Sequence, residues 1–273
     1  LVSAVLSTEK ALGVRFHYYG LWLAESGFAT ESLRTLFGRG QGIREPHIYM
    51  MEPYDPNRRI LFLLHGLASS PEAWVNLVNE VMGDPSLRKE FQVWSVYYPT
   101  NAPIALNRYT IGRALNHTLR HFDPSGQARA SRDMVFIGHS MGGVLARLML
   151  SNSGEALWDG LVSRYKLEGE RLQRVQSRLK TLMHFTPQPN VERAIFIAAP
   201  HKGTDIAGNR LGRMIGRLVR LPFTILGAFA DVFLELNGAE PGEDGKPKKA
   251  KVPNSIDNLK SDDPFIAAAA NLP

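Results

Sequence analysis

Four short apolar runs, separated by segments with helical spacing, constrain this chain more than any other feature. Ile60–Leu64 ends in His65-Gly66-Leu67, Phe91–Tyr98 ends at Pro99, Met134–Ile137 runs into Gly138, and Ala194–Ala199 ends at Pro200. None of these runs alternates apolar with polar residues. An unbroken apolar run of four to eight residues suits a strand buried on both faces, as in a parallel sheet. Residues 47–53 read as a further strand, closed by the turn-rich Pro53-Tyr54-Asp55-Pro56-Asn57. Between the runs, Pro71–Val81 behind Ser70 as N-cap, roughly Tyr109–His121, and Met141–Leu150 read as helices. Strands alternating with helices predict a doubly wound α/β fold with a mostly parallel sheet and helices on both faces.

Composition agrees with that expectation. The chain has 273 residues, of which 44% are hydrophobic and 21% charged. This is enough for one well-buried α/β core and too apolar for a disordered chain. No apolar stretch reaches the roughly 18 residues of a membrane-spanning helix. There is no cysteine, which excludes disulfides, thiol nucleophiles and cysteine-ligated metals. The histidines lack zinc-ligand spacing, so neither a metal nor another cofactor is expected.

The sharpest motif is Gly138-His139-Ser140-Met141-Gly142-Gly143, a G-x-S-x-G match between an apolar run and a helix. A nucleophilic serine on a tight strand-to-helix turn projects its hydroxyl above the sheet. Gly138 and Gly142 flank the turn because side chains there would strike neighbouring strands. The helix that starts at Met141 aims its positive end at Ser140 and leaves its first N–H free for an oxyanion. His65-Gly66-Leu67 ends the first clear strand, where the second oxyanion donor is expected. Leu67 N–H would then pair with Met141 N–H. His65 reads as a hydrogen-bonding residue of the turn rather than a base.

Together with Ala199-Pro200-His201-Lys202-Gly203-Thr204, these motifs resemble the bacterial lipase and esterase branch of the α/β-hydrolase superfamily, over about residues 47–273. The resemblance implies cofactor-free ester hydrolysis through an acyl-enzyme, with a cap or lid following Pro200-His201-Lys202-Gly203. It also implies a triad in the order Ser, Asp or Glu, His. Neither partner of Ser140 is found. His184 lies too early, on a basic helical segment; His201 matches a family histidine that is not the triad base; Asp205 reads as a helix cap. No strand run follows Ala199. The expectation is a hydrolase short of its last two strands, either a fragment or an inactive relative. The segments are then an N-terminal helical extension (1–46), the hydrolase core (47–204), and a helical cap and mobile loop (205–254). A C-terminal helix (255–273) would lead toward the missing strands.

The formal net charge of +6 is uneven. Between Arg164 and Arg220 there are 12 Lys and Arg against 4 Asp and Glu, so the excess sits around the expected cap. Arg210, Arg213, Arg217 and Arg220 recur at helical spacing beside Leu211, Met214, Ile215 and Leu218. Such a segment suits either a solvated helix face or an anionic membrane surface. No nucleic-acid motif accompanies the charge. Three functions remain open: a lipid-type ester hydrolase, a thioesterase or acyltransferase with the same machinery, and a non-catalytic lipid-surface module.

Overall fold

The computed structural model describes residues 46–204, 232, 236 and 254–273. Within them the chain forms five strands: β1 (His47–Met50), β2 (Arg59–Leu64), β3 (Phe91–Tyr97), β4 (Met134–His139) and β5 (Val191–Ile197). They make one sheet in the order β1-β3-β2-β4-β5; β1 runs antiparallel to β3 and the other pairs are parallel. This is the mostly parallel α/β sheet that the apolar runs predict.

The pleat explains why those runs do not alternate. Ile60, Phe62 and Leu64 pack into a core with Phe136, Ile111, Leu115, Val144 and Leu145. Their neighbours Leu61 and Leu63 face the opposite side and meet Trp74, Val78 and Val81. Both faces are therefore covered, and both need apolar residues. The helices are α1 (Val75–Gly83), α2 (Pro85–Glu90), α3 (Ile104–Phe122), α4 (Arg129–Arg132), α5 (Met141–Leu150), α6 (Ala156–Tyr165) and α7 (Gly169–Met183). From β2 the chain steps to β3 in one direction, then back past β2 to β4 and on to β5. Right-handed crossovers put helices of opposite steps on opposite faces. Accordingly α1 lies on one face, with α3 and α5 on the other.

Several boundaries differ from the sequence expectations. β1 stops at Met50 rather than running to residue 53. Pro71–Trp74 is a 3-10 turn before α1, and the Ser70 hydroxyl bonds Glu72 instead of capping the backbone. α3 starts at Ile104, five residues before the expected Tyr109, because Pro103 ends the preceding loop. α5 spans Met141–Leu150 as expected.

The run Ala194–Ala199 departs most. Its strand spans Val191–Ile197, and Ile195, Phe196 and Ile197 are 43, 42 and 42% exposed. Strand β5 is the last in the described sheet, so no described strand pairs with its outer edge. The apolar run marked a parallel strand correctly, but burial on both faces did not follow.

The C-terminal residues form two short helices, α8 (Ser255–Asn258) and α9 (Pro264–Ala269), rather than one. Asn254 and Asp257 make a reciprocal capping box at α8. Asp263 caps α9 by accepting from the N–H groups of Phe265 and Ile266, with Pro264 in the first turn. The N-terminal extension (residues 1–46) lies almost wholly outside the described residues. Most of the expected cap and loop (205–254) does so too, including Arg210, Arg213, Arg217, Arg220 and Asp205.

Candidate active site

β2 and β4 are adjacent and parallel, and the turns leaving their carboxyl ends meet. After β4, Ser140 adopts φ 53° and ψ −124° before α5 begins. That is a backbone region L-residues rarely occupy. Ser140 N–H donates to Ile197 C=O at 2.9 Å, and Ser140 C=O accepts from Gly143 N–H at 3.0 Å. The turn is thus tied to the end of β5 on one side and to its own helix on the other. Ser140 is half-buried, and its hydroxyl makes no hydrogen bond to a described residue.

The glycines admit this close approach. A Cβ on Gly142 would collide with the carbonyl oxygens of Leu64 and His65 and stand 2.6 Å from the Leu64 carbonyl carbon. One on Gly143 would strike Ala199 Cβ. For Gly138 the obstacle differs from expectation: a Cβ there would meet Gly142 and come 2.6 Å from Gly143 Cα, within the elbow's own helix rather than on a neighbouring strand. A Cβ on Gly66 would lie 3.1 Å from Ser140 Cβ and 3.2 Å from His139 Nδ1, so the His65-Gly66-Leu67 turn is seated against the elbow. His139 itself is exposed.

Neither Leu67 N–H nor Met141 N–H donates to a described residue. Met141 opens α5, where the first N–H groups have no partner within the helix. The Leu67 turn is held from outside: Ala68, at φ 53°, donates its N–H to Thr100 Oγ1 at 3.3 Å. The Thr100 C=O accepts in turn from the Ser255 hydroxyl.

His65 is fully buried and stacks on Tyr98 at 4.4 Å between ring centroids and 13° between planes. Tyr98 donates its hydroxyl to His65 C=O. Nδ1 of His65 lies 3.0 Å from Gly66 C=O and so carries the proton, while buried Nε2 has no partner among the described residues. Desolvation lowers the pKa of His65 to about 4, so the ring is neutral. These bonds make it part of the turn. Tyr98 and Thr100 were missed by sequence reasoning. The available signal was the polar Thr100-Asn101 pair placed directly after an apolar strand, where both side chains are buried.

Neither of the two histidines after Ser140 is hydrogen-bonded to its hydroxyl. His184 follows α7 and lies 3.2 Å from Glu155. His201 packs edge-on against Phe196 at 4.9 Å, and its Nδ1 is buried without a partner among the described residues. Burial, with Arg147 nearby, lowers its pKa. Among the described residues no group of three or more His, Cys, Asp and Glu is arranged to hold a metal ion.

No family model and no curated protein matches the chain. Solved structures similar to it include the mature form of a Bacillus licheniformis lipase, with 14% identity and a TM-score of 0.42 over 85% of this chain and 68% of that one. Esterase B from Lactobacillus rhamnosis, inhibited, matches with 13% identity and a TM-score of 0.37 over 92% of this chain and 72% of that one. Thermogutta terrifontis esterase 2, phosphoramylated by tabun, matches with 13% identity and a TM-score of 0.36 over 71% and 74%.

Proposed function

We propose that the chain carries the nucleophile and oxyanion half of a serine hydrolase of the α/β-hydrolase type, acting on carboxylic, lipid-type esters through an acyl-enzyme. The observation that carries this reading is the conformation of Ser140, φ 53° and ψ −124°, on a strand-to-helix turn closed by glycines. Strain of this kind persists only where the surroundings impose it, and it lifts a serine hydroxyl clear of the sheet.

In the proposed reaction Ser140 Oγ attacks the ester carbonyl carbon, and the carbonyl oxygen takes up the negative charge. Leu67 N–H and Met141 N–H, neither of which donates to a described residue, donate to that oxygen. The alcohol leaves, and water then releases the acid from the Ser140 ester. A proton acceptor for Ser140 is needed near neutral pH. No described residue bonds the hydroxyl, so we assign the acceptor histidine and its orienting carboxylate to positions outside the described residues.

Labelling with a fluorophosphonate tests the reading, with the modified peptide located by mass spectrometry. The expected adduct is on Ser140, and it disappears in Ser140→Ala. An unlabelled Ser140, or an adduct elsewhere that survives Ser140→Ala, sinks the assignment. Acyl transfer to an added alcohol exceeding hydrolysis of the same ester would move the reading to an acyltransferase.

A further inference from the structure

Leu67 sits between two peptide groups, and each is anchored by a buried side chain. Its own N–H belongs to the Gly66–Leu67 peptide, whose carbonyl accepts from His65 Nδ1 at 3.0 Å. The next peptide, Leu67–Ala68, donates its N–H to Thr100 Oγ1 at 3.3 Å. Peptide groups are planar, so anchoring one polar end of each restrains both planes and with them the direction of Leu67 N–H.

The second anchor is the one that the backbone needs. Ala68 has φ 53°, in the left-handed region that is costly for a residue with a Cβ. Such strain persists only where the surroundings impose it. Ala68 is exposed, so close packing does not impose it. Among the described residues, the bond from its N–H to Thr100 is the contact that does.

Thr100 is itself built in. It is only 3% exposed, where valine would have nearly the same shape and no hydroxyl to satisfy. A buried hydroxyl is costly unless it is hydrogen-bonded, and the Ala68 N–H supplies that bond. The Thr100 carbonyl accepts from the hydroxyl of Ser255, which is fully buried at the start of α8. Asn107 of α3 holds the rest of the loop, donating to the carbonyls of Pro99 and Ala102 at 3.0 and 3.3 Å. A line of contacts thus runs from α8 through Thr100 to the turn that carries Leu67 N–H.

We propose that Thr100 is a positioning residue for the reaction: its hydroxyl, held in place through Ser255, aims Leu67 N–H at the oxygen that becomes charged when Ser140 attacks. This rests on the roles proposed above for Ser140 and Leu67.

The probe is an alkyl fluorophosphonate, reacted with the full chain over a range of concentrations. Ser140 Oγ bonds to phosphorus, fluoride leaves, the serine proton passes to the acceptor, and the phosphoryl oxygen takes the place of the ester oxyanion. Thr100→Val should lower the maximal labelling rate about tenfold or more, with the half-saturating concentration unchanged, because the donor acts in the transition state. Thr100→Ser should restore the rate. Ser255→Ala should lower it too, and adding Ser255→Ala to Thr100→Val should lower it no further. Hydrogen exchange of the Ala68 amide, followed by NMR, should quicken in Thr100→Val and in Ser255→Ala and slow again in Thr100→Ser. A Thr100→Val protein that labels like the wild type, or a failure of serine to restore the rate, overturns the positioning role. Wild-type labelling in Ser255→Ala overturns the link to α8. If Thr100→Val does not fold, Ser255→Ala decides alone, by its labelling rate and its Ala68 exchange. If Ser140 is labelled in none of the proteins, the proposed reaction fails by itself, and an unchanged Ala68 exchange in Thr100→Val then overturns the hold of Thr100 on the turn.

Discussion

Ser140 and His65 show how far single side chains on this sheet depart from their ordinary chemistry. The strained Ser140 backbone costs about 1–3 kcal/mol, and that cost belongs to the turn, not to the hydroxyl. Ser140→Ala should therefore abolish fluorophosphonate labelling while shifting the urea midpoint little. His65 makes a pH prediction with a definite sign. Its folded pKa of about 4 lies below its ordinary value of 6.5, so the unfolded chain binds a proton that the folded chain refuses. The corresponding stability is fully present above pH 6.5, falls as pH drops toward 4, and levels off below that. Across the window the loss amounts to about 3 kcal/mol for this one group. Urea unfolding at pH 7.5, 5.5 and 4.5 should show this slope, and His65→Asn should flatten it. Equal slopes in the two proteins would mean that other groups carry the dependence.

At the scale of elements, the same chemical change should have opposite effects in two helices. Gly142→Ala, in the first turn of α5, drives a methyl into the carbonyls of Leu64 and His65. Overpacking against backbone that cannot yield should cost about 3 kcal/mol. Gly112→Ala, in the middle of α3, meets nothing within 4 Å and should stabilise the protein by about 0.5–1 kcal/mol. Thermal unfolding of the pair checks both signs. The elements themselves were unequally legible. β2, β3 and β4 were visible because both faces of each strand are covered, so apolar residues dominate them without alternating. α5 was visible from its glycine-flanked start and its apolar residues. α6 and the short α2 and α4 were not foreseen: Ala156–Tyr165 has a weak amphipathic pattern, and its neighbours supply the burial. β5 was recognisable as a strand, but its exposure depends on its place in the sheet order, which the run itself does not encode.

At the scale of the whole molecule, the C-terminal residues are stitched to the loops around the candidate site. Asn258 Oδ1 accepts from Ile104 N–H at 3.2 Å, and Leu259 C=O accepts from Thr204 N–H at 2.9 Å. Arg147 of α5 donates to the carbonyls of Ala270 and Leu272, at 2.9 and 3.2 Å. Asn258→Ala would leave the buried Ile104 N–H without its acceptor, at about 1–3 kcal/mol. A lower urea midpoint with an unchanged slope is the expected result. An unchanged midpoint would show that this long-range bond contributes little. What the sequence determined by itself was local: strand runs, the glycine-flanked Ser140 turn and the Asp263 cap. Each follows from spacing along the chain, because backbone dihedrals and side-chain periodicity act over a few residues. Only the tertiary structure decided that Gly66 rests against Ser140, that Thr100 holds the Leu67 turn, and that Ile195–Ile197 stay partly exposed at the end of the described sheet. Those facts depend on which strands and helices become neighbours, and that is settled by burying the two faces of the sheet together.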